Sequence, residues 1–171
     1  MNFFNRLQGV FFSPQLTLKS VSERPVWVDA FIVLLILLTI FSYFVVPYAQ
    51  KDQVQAMKNN VQLQERMGRE AYERYLERME NPSSAMKIGT RFVFPFLANI
   101  LGMFFPGLII LLIGRMFSSE GNYKGVLSVY LHAGFVDKIL GNAVRLPLIL
   151  IRKSVLQTTT SLAFLFPKME T

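Results

Sequence analysis

The sequence predicts an all-α, multi-pass transmembrane helical bundle, with N-terminal interfacial amphipathic helices and a long polar helical loop. Three observations lead there. Apolar types fill 52% of the 171 residues and charged types only 17%, against about 25% charged in an ordinary soluble domain. Two charge-free runs are each long enough to cross a bilayer. A chain this short cannot hide that much apolar surface in one core, so lipid must act as part of its solvent. Disorder is excluded, because it needs low hydrophobicity. The lack of Cys argues against a disulfide framework or a thiolate metal site. The net charge is +7, but the basic residues are scattered among acids. They are read as a matter of topology and anionic headgroups rather than of nucleic acid.

Residues 1–27 form the first unit. Phe3, Phe4, Leu7, Val10 and Phe11 recur at helical spacing, with Asn5, Arg6 and Gln8 opposite, as in a helix lying in the interface plane. Ser13 can cap a second helix with Pro14 at its first position. That helix runs from Gln15 to about Ser22. Both helices either lie in the interface or rest on the spans, or do both.

The first span is 30–49, a run of 20 uncharged residues, about 30 Å as a helix. Trp27 and Tyr48 flank it at headgroup level, and Pro47 stands where a helix end costs little. Residues 50–91 form the polar loop. Its first part, 51–80, reads as one solvated helix about 45 Å long. Val54, Met57, Val61, Tyr72, Tyr75, Leu76 and Met79 supply a partial apolar stripe. Acid-before-base pairs stand at Glu65/Arg69 and Glu70/Arg74, Gly68 can split the helix, and Asn81-Pro82 ends it. The stripe could cover the bundle, bind a partner or pair with its own copy.

The second span is 92–114, bracketed by Arg91 and Arg115. Pro95 and Pro106 fall inside it. In lipid the carbonyls they free need neighbouring groups, so this helix packs on protein along one side. Gly102 and Gly107 would allow close approach. The region 125–151 is either a third span with an internal charge pair or two short helices forming a re-entrant elbow. Residues 152–171 form a tail, of which 154–167 is uncharged but too short for an ordinary span. Positive charges number eight between the first two spans and five on the other side, with six acids interleaved among the eight. Orientation is therefore close to even by composition.

The opening Phe3-Phe4-Asn-Arg-Leu-Gln-Gly9-Val10-Phe-Phe-Ser13-Pro14, then Arg24-Pro25-Val-Trp27 before the first span, resembles the bacterial branch of the Yip family (Ypt-interacting multi-pass membrane proteins). Ile113-Gly114-Arg, a short turn, and Tyr123-Lys124-Gly125-Val126-Leu127-Ser128-Val129-Tyr130 are similar as well, as are Thr160-Ser161-Leu162-Ala163 and Pro167. The resemblance implies a helical bundle in the bacterial cytoplasmic (inner) membrane with a cytoplasmic N-terminus. It implies no catalytic residues. In eukaryotes the family is linked to small Rab/Ypt GTPases, so a small GTPase partner is expected by family association only. The family usually has about five spans, so this chain is either a fragment or a short member.

No enzyme site emerges. His132 is the single histidine, which leaves no zinc set and no His-based triad. The glycines near 114–125 lack phosphate-loop spacing. No cofactor or metal is expected. One cluster stands out: His132, Asp137, Lys138, Asn142 and Arg145. If 125–148 is one helix, Lys138, Asn142 and Arg145 share a face, and ionisable groups at that depth normally pair or line a cavity. They form either a polar pathway or lipid-headgroup pocket, or a helix break at the interface with Arg145 snorkelling. The expected function is a non-enzymatic scaffold or accessory factor. Its partners would be the lipid bilayer and other membrane proteins or a second copy, and no nucleic acid. A small transporter or transporter subunit is the alternative.

Overall fold

A computed structural model describes residues 1–117 and 122–156. The described residues are helical almost throughout. Helix α1 covers Phe3–Phe12 and α2 covers Pro14–Glu23. The long α3, Val28–Lys58, is followed by α4 (Val61–Met67), α5 (Arg69–Glu80) and α6 (Ser84–Ile88). A π-helical turn at Gly89–Val93 leads into α7, Phe94–Phe117. Then come α8 (Tyr123–Phe135), a second π turn (Val136–Gly141) and α9 (Asn142–Arg152).

Two of these tracks, Val28–Lys58 and Ser84–Met116, are long and apolar enough to cross a membrane. The core helix of a soluble protein would be mostly covered by its neighbours. Here only 11% and 17% of the most apolar stretches are buried. Ile32, Ile36 and Ile40 on α3, and Leu101, Phe105 and Leu112 on α7, all face outward. Hydrocarbon at those positions favours lipid over water by about 25 cal/mol per Å².

The contacts fix the directions of the tracks. Trp27 and Phe31 meet Phe104 at ring distances of 5.8 and 5.1 Å, whereas Tyr43 meets Phe92 at 5.6 Å. Helix α7 therefore runs antiparallel to α3. Gly134 lies 3.8 Å from Leu34 by its Cβ position, and Ser154 donates to Asp52 at 2.9 Å. The run from α8 to α9 is thus parallel to α3. It is helical from Tyr123 to Arg152 without an intervening loop.

The core sits where these tracks meet α1 and α2. Ala30, Leu34, Met103, Leu127, Leu131 and Phe135 form one buried cluster, with Phe3, Leu7 and Phe11 of α1 packed on it. Small residues permit this approach. A Cβ on Gly9 would stand 2.2 Å from Thr17 Oγ1, and one on Gly125 would stand 3.2 Å from the Ser22 carbonyl. Outward from α1 and α2 point Phe4, Phe12 and Leu16. Asn2 caps α1 through the Asn5 N–H at 2.8 Å. Pro14 opens α2 as expected, but the Ser13 side chain makes no capping bond.

Several local expectations change. Helix α3 does not end near Pro47 but passes through it to Lys58, because Pro removes only one backbone bond and the polar residues beyond continue the helix. The 51–80 segment is not one rod. Asn60 caps a new helix through the Leu63 N–H at 3.0 Å, and Gly68 adopts φ 77°, a left-handed region that favours glycine. That break separates Glu65 from Arg69, so Arg69 pairs with Glu73 instead, at 3.0 Å. Glu70–Arg74 forms at 3.7 Å. Helix α5 folds back on the polar end of α3. There the buried Tyr72 donates to the Met57 carbonyl at 2.7 Å, and Lys58 pairs with Glu80.

Candidate functional site

Pro106 cannot donate to the carbonyl four residues back, that of Gly102. The Tyr130 hydroxyl donates to it instead, at 3.3 Å. Tyr123 donates to the neighbouring Phe104 carbonyl at 2.9 Å. A Cβ on Gly107 would meet Leu127 at 3.4 Å, whereas one on Gly102 would meet nothing within 4 Å. Only one of the two glycines faces the neighbouring helix α8. The other borders open space.

That space is a lateral cavity of about 410 Å³ between α3, α7 and α8. Its walls are chiefly apolar, including Leu34, Leu38 and Met103, with Asn99 and Tyr130 as polar groups. Asp137 and Lys138 stand at one end. Asn99 also reaches Ser42 at 3.5 Å. Asp137 accepts from Lys138 at 2.6 Å and from Arg145 at 3.4 Å. The π turn presents this triad: a Cβ on Gly141 would lie 3.0 Å from Asp137 Oδ1. Asn142 starts α9 beside the triad without joining its bonds. Asp137 and Leu38 of α3 line the same cavity.

His132 belongs elsewhere. It is fully buried on the face of α8 that receives α1. The Arg6 Nε donates to its Nε2 at 3.2 Å, and its Nδ1 bonds the Ser128 carbonyl at 2.8 Å. That pattern fits a neutral ring with the proton on Nδ1. Arg6 also donates to the Met1 carbonyl at 2.8 Å and pairs with Asp29. The Ser128 hydroxyl accepts the Val26 N–H at 3.2 Å. Arg6 is therefore no part of a wet helix face. It is buried and ties three elements together, and no buried side-chain polar atom among the described residues lacks a partner.

The five residues thus divide into two sites. Sequence reasoning missed Arg6, Asp29 and Ser128. The signal available was an acid, Asp29, at the very start of an apolar run. It also missed Asp52, whose Oδ2 accepts from the Ser154 hydroxyl and from the Val155 and Leu156 N–H groups at 2.9, 2.5 and 3.1 Å. Among the described residues no His, Cys, Asp or Glu side chains group to hold a metal.

Two helices long and apolar enough to cross a membrane, with most of their apolar surface facing outward, fit a helical membrane protein. The particular kind follows from comparison: the Yip1 domain family matches residues 9–166. The chain belongs to that family of membrane proteins. No curated protein and no solved structure matches it. The Thr160–Pro167 motif lies outside the described residues.

Proposed function

We propose that the chain is a non-enzymatic, multi-pass membrane scaffold or accessory protein that organises lipids or other membrane proteins. The observation that carries this reading is the apolar exterior of α7. Leu97, Leu101, Phe105, Leu112 and Ile113 are all half or more exposed along a helix whose other side is committed to α3 and α8. Partner helices or ordered lipid suit such a face. The run 123–152 is the third crossing, since it keeps step with α3 from Leu34 to Asp52. Helices α1 and α2 lie in the interface, with Phe4, Phe12 and Leu16 directed to lipid. The expected home is the bacterial cytoplasmic membrane, with the N-terminus in the cytoplasm. A small GTPase partner rests on family association alone.

In this reading Asp137, Lys138 and Arg145 are a paired intramembrane site, flanked by Asn142, that meets a headgroup or a polar group of a partner helix. His132 is a packing residue. The cavity beside Asp137 also favours a second reading, a transporter subunit. Against it, the lining residues do not include His132, so the two polar clusters do not join into one path.

Photo-crosslinking groups at Leu101 and Phe105 of the full chain in native membranes test the proposal. Discrete adducts are expected there and none from the buried Leu131. Solute-dependent flux by the purified protein in liposomes, abolished by Asp137→Leu, would replace the scaffold reading with transport.

A further inference from the structure

A second cavity, about 440 Å³, opens where α5 folds back beside the two long tracks. Four cations line it: Lys51 and Lys58 from α3, Lys87 from α6 and Arg91 from the first π turn. All four are exposed. Glu80 is the lone acid in the lining, and it is already bonded to Lys58. Asp52, next to Lys51, directs its Oδ2 to Ser154 and the two N–H groups beyond it. Lys51, Lys87 and Arg91 thus have no carboxylate bonded to them among the described residues. The cavity also has apolar walls, among them Pro47, Val54 and Met79. Its level is set by the Tyr43–Phe92 ring contact. Arg91 therefore lies close to Pro47, where the uncharged run of α3 is about to end, and Lys51 lies just past that end.

We propose that this cleft binds the phosphate of an anionic phospholipid. A phosphate oxygen takes charge-assisted hydrogen bonds from ammonium and guanidinium groups. Basic pockets at membrane-helix borders suit such headgroups. The apolar walls fit the glycerol and upper acyl carbons, which a free phosphate lacks. The inference deepens the lipid-organising reading above and depends on α3 and α7 crossing the bilayer.

The test uses the full chain in mild detergent, equilibrated with mixed phosphatidylglycerol and phosphatidylcholine micelles. Bound lipid is then quantified after gel filtration. Phosphatidylglycerol is expected to be enriched over the mixture, and Lys51→Gln/Lys87→Gln/Arg91→Gln to lower that preference roughly a hundredfold, which abolishes the enrichment. Should the triple variant fail to insert, Lys87→Gln and Arg91→Gln are read singly, each expected to cost about fivefold. Removing as many exposed cations elsewhere, Lys19→Gln/Arg24→Gln/Lys124→Gln, should leave the enrichment intact. Equal loss in both triple variants, or no enrichment in the wild type, overturns the site. Full displacement by millimolar glycerol phosphate would assign it to a soluble phosphate instead. Carbonate extraction of wild-type membranes separates the two levels: protein that stays in the membrane but shows no lipid preference sinks only this inference, and protein that is extracted sinks the membrane reading.

Discussion

Arg6 does more than its place in a short N-terminal helix suggests. One guanidinium meets the Asp29 carboxylate, the His132 ring and a backbone carbonyl, a combination that the planar five-donor fork allows and an ammonium does not. The guanidinium is buried while the Asp29 carboxylate is partly exposed, so losing Arg6 strands chiefly the buried His132 nitrogen rather than a buried charge. Arg6→Leu should therefore destabilise the fold by about 2 kcal/mol, read as a lower melting temperature in mild detergent. Arg6→Lys should fall between the two. An Arg6→Leu protein that melts like the wild type would show that the tie contributes no stability. Tyr130→Phe is a milder case. It leaves the Gly102 carbonyl without its hydroxyl donor and should cost about 1 kcal/mol in the same assay.

Among the elements, α7 distinguishes its two mid-helix glycines by what faces them. A side chain added at Gly107 would at once touch Leu127, while Gly102 borders the cavity. Gly107→Leu should push α8 away and reduce the yield of folded protein in membranes. Gly102→Ala should be tolerated, with a small gain from helix propensity. Equal loss from both would mean that facing α8 is not what sets Gly107 apart. The sequence told the length and character of these helices but not their partners. Apolar runs and proline positions can be read from a single chain, whereas the donor that rescues the Gly102 carbonyl comes from a residue 28 positions away. Likewise, helical spacing joins only Lys138, Asn142 and Arg145, and His132 groups with them as a polar residue of the same apolar region. That grouping comes apart because α1, distant in sequence, claims one face of α8, and because the π turn resets the phase between His132 and Arg145. The long polar rod failed for a local reason that was partly visible, Gly68 in a left-handed conformation.

For the whole molecule, the antiparallel α7 and the parallel run 123–152 place the N-terminal helices at one end of the bundle and the 51–91 segment at the other. The chain contains no native Cys, so single cysteines report sidedness cleanly. Cysteines at Gln8 and Lys58, both exposed, should be labelled from opposite faces of sealed vesicles. Labelling from the same face would refute the arrangement. The Asp52 clasp belongs to this scale too, because it fastens the end of the third track to the far end of the first. Asp52→Ala should free residues 154–156 to proteolysis while leaving the N-terminal half protected.

The wide turn at Val136–Gly141 takes up more residues per turn than an α-helix does, and what lies beyond it depends on that slack. Deleting Ile139 would swing everything downstream by about 100°. Arg145 would leave Asp137, and Ser154 would rotate off the Asp52 clasp. The bulge therefore serves as a phase adjuster, through which one rod keeps two appointments that a regular helix of the same composition would miss.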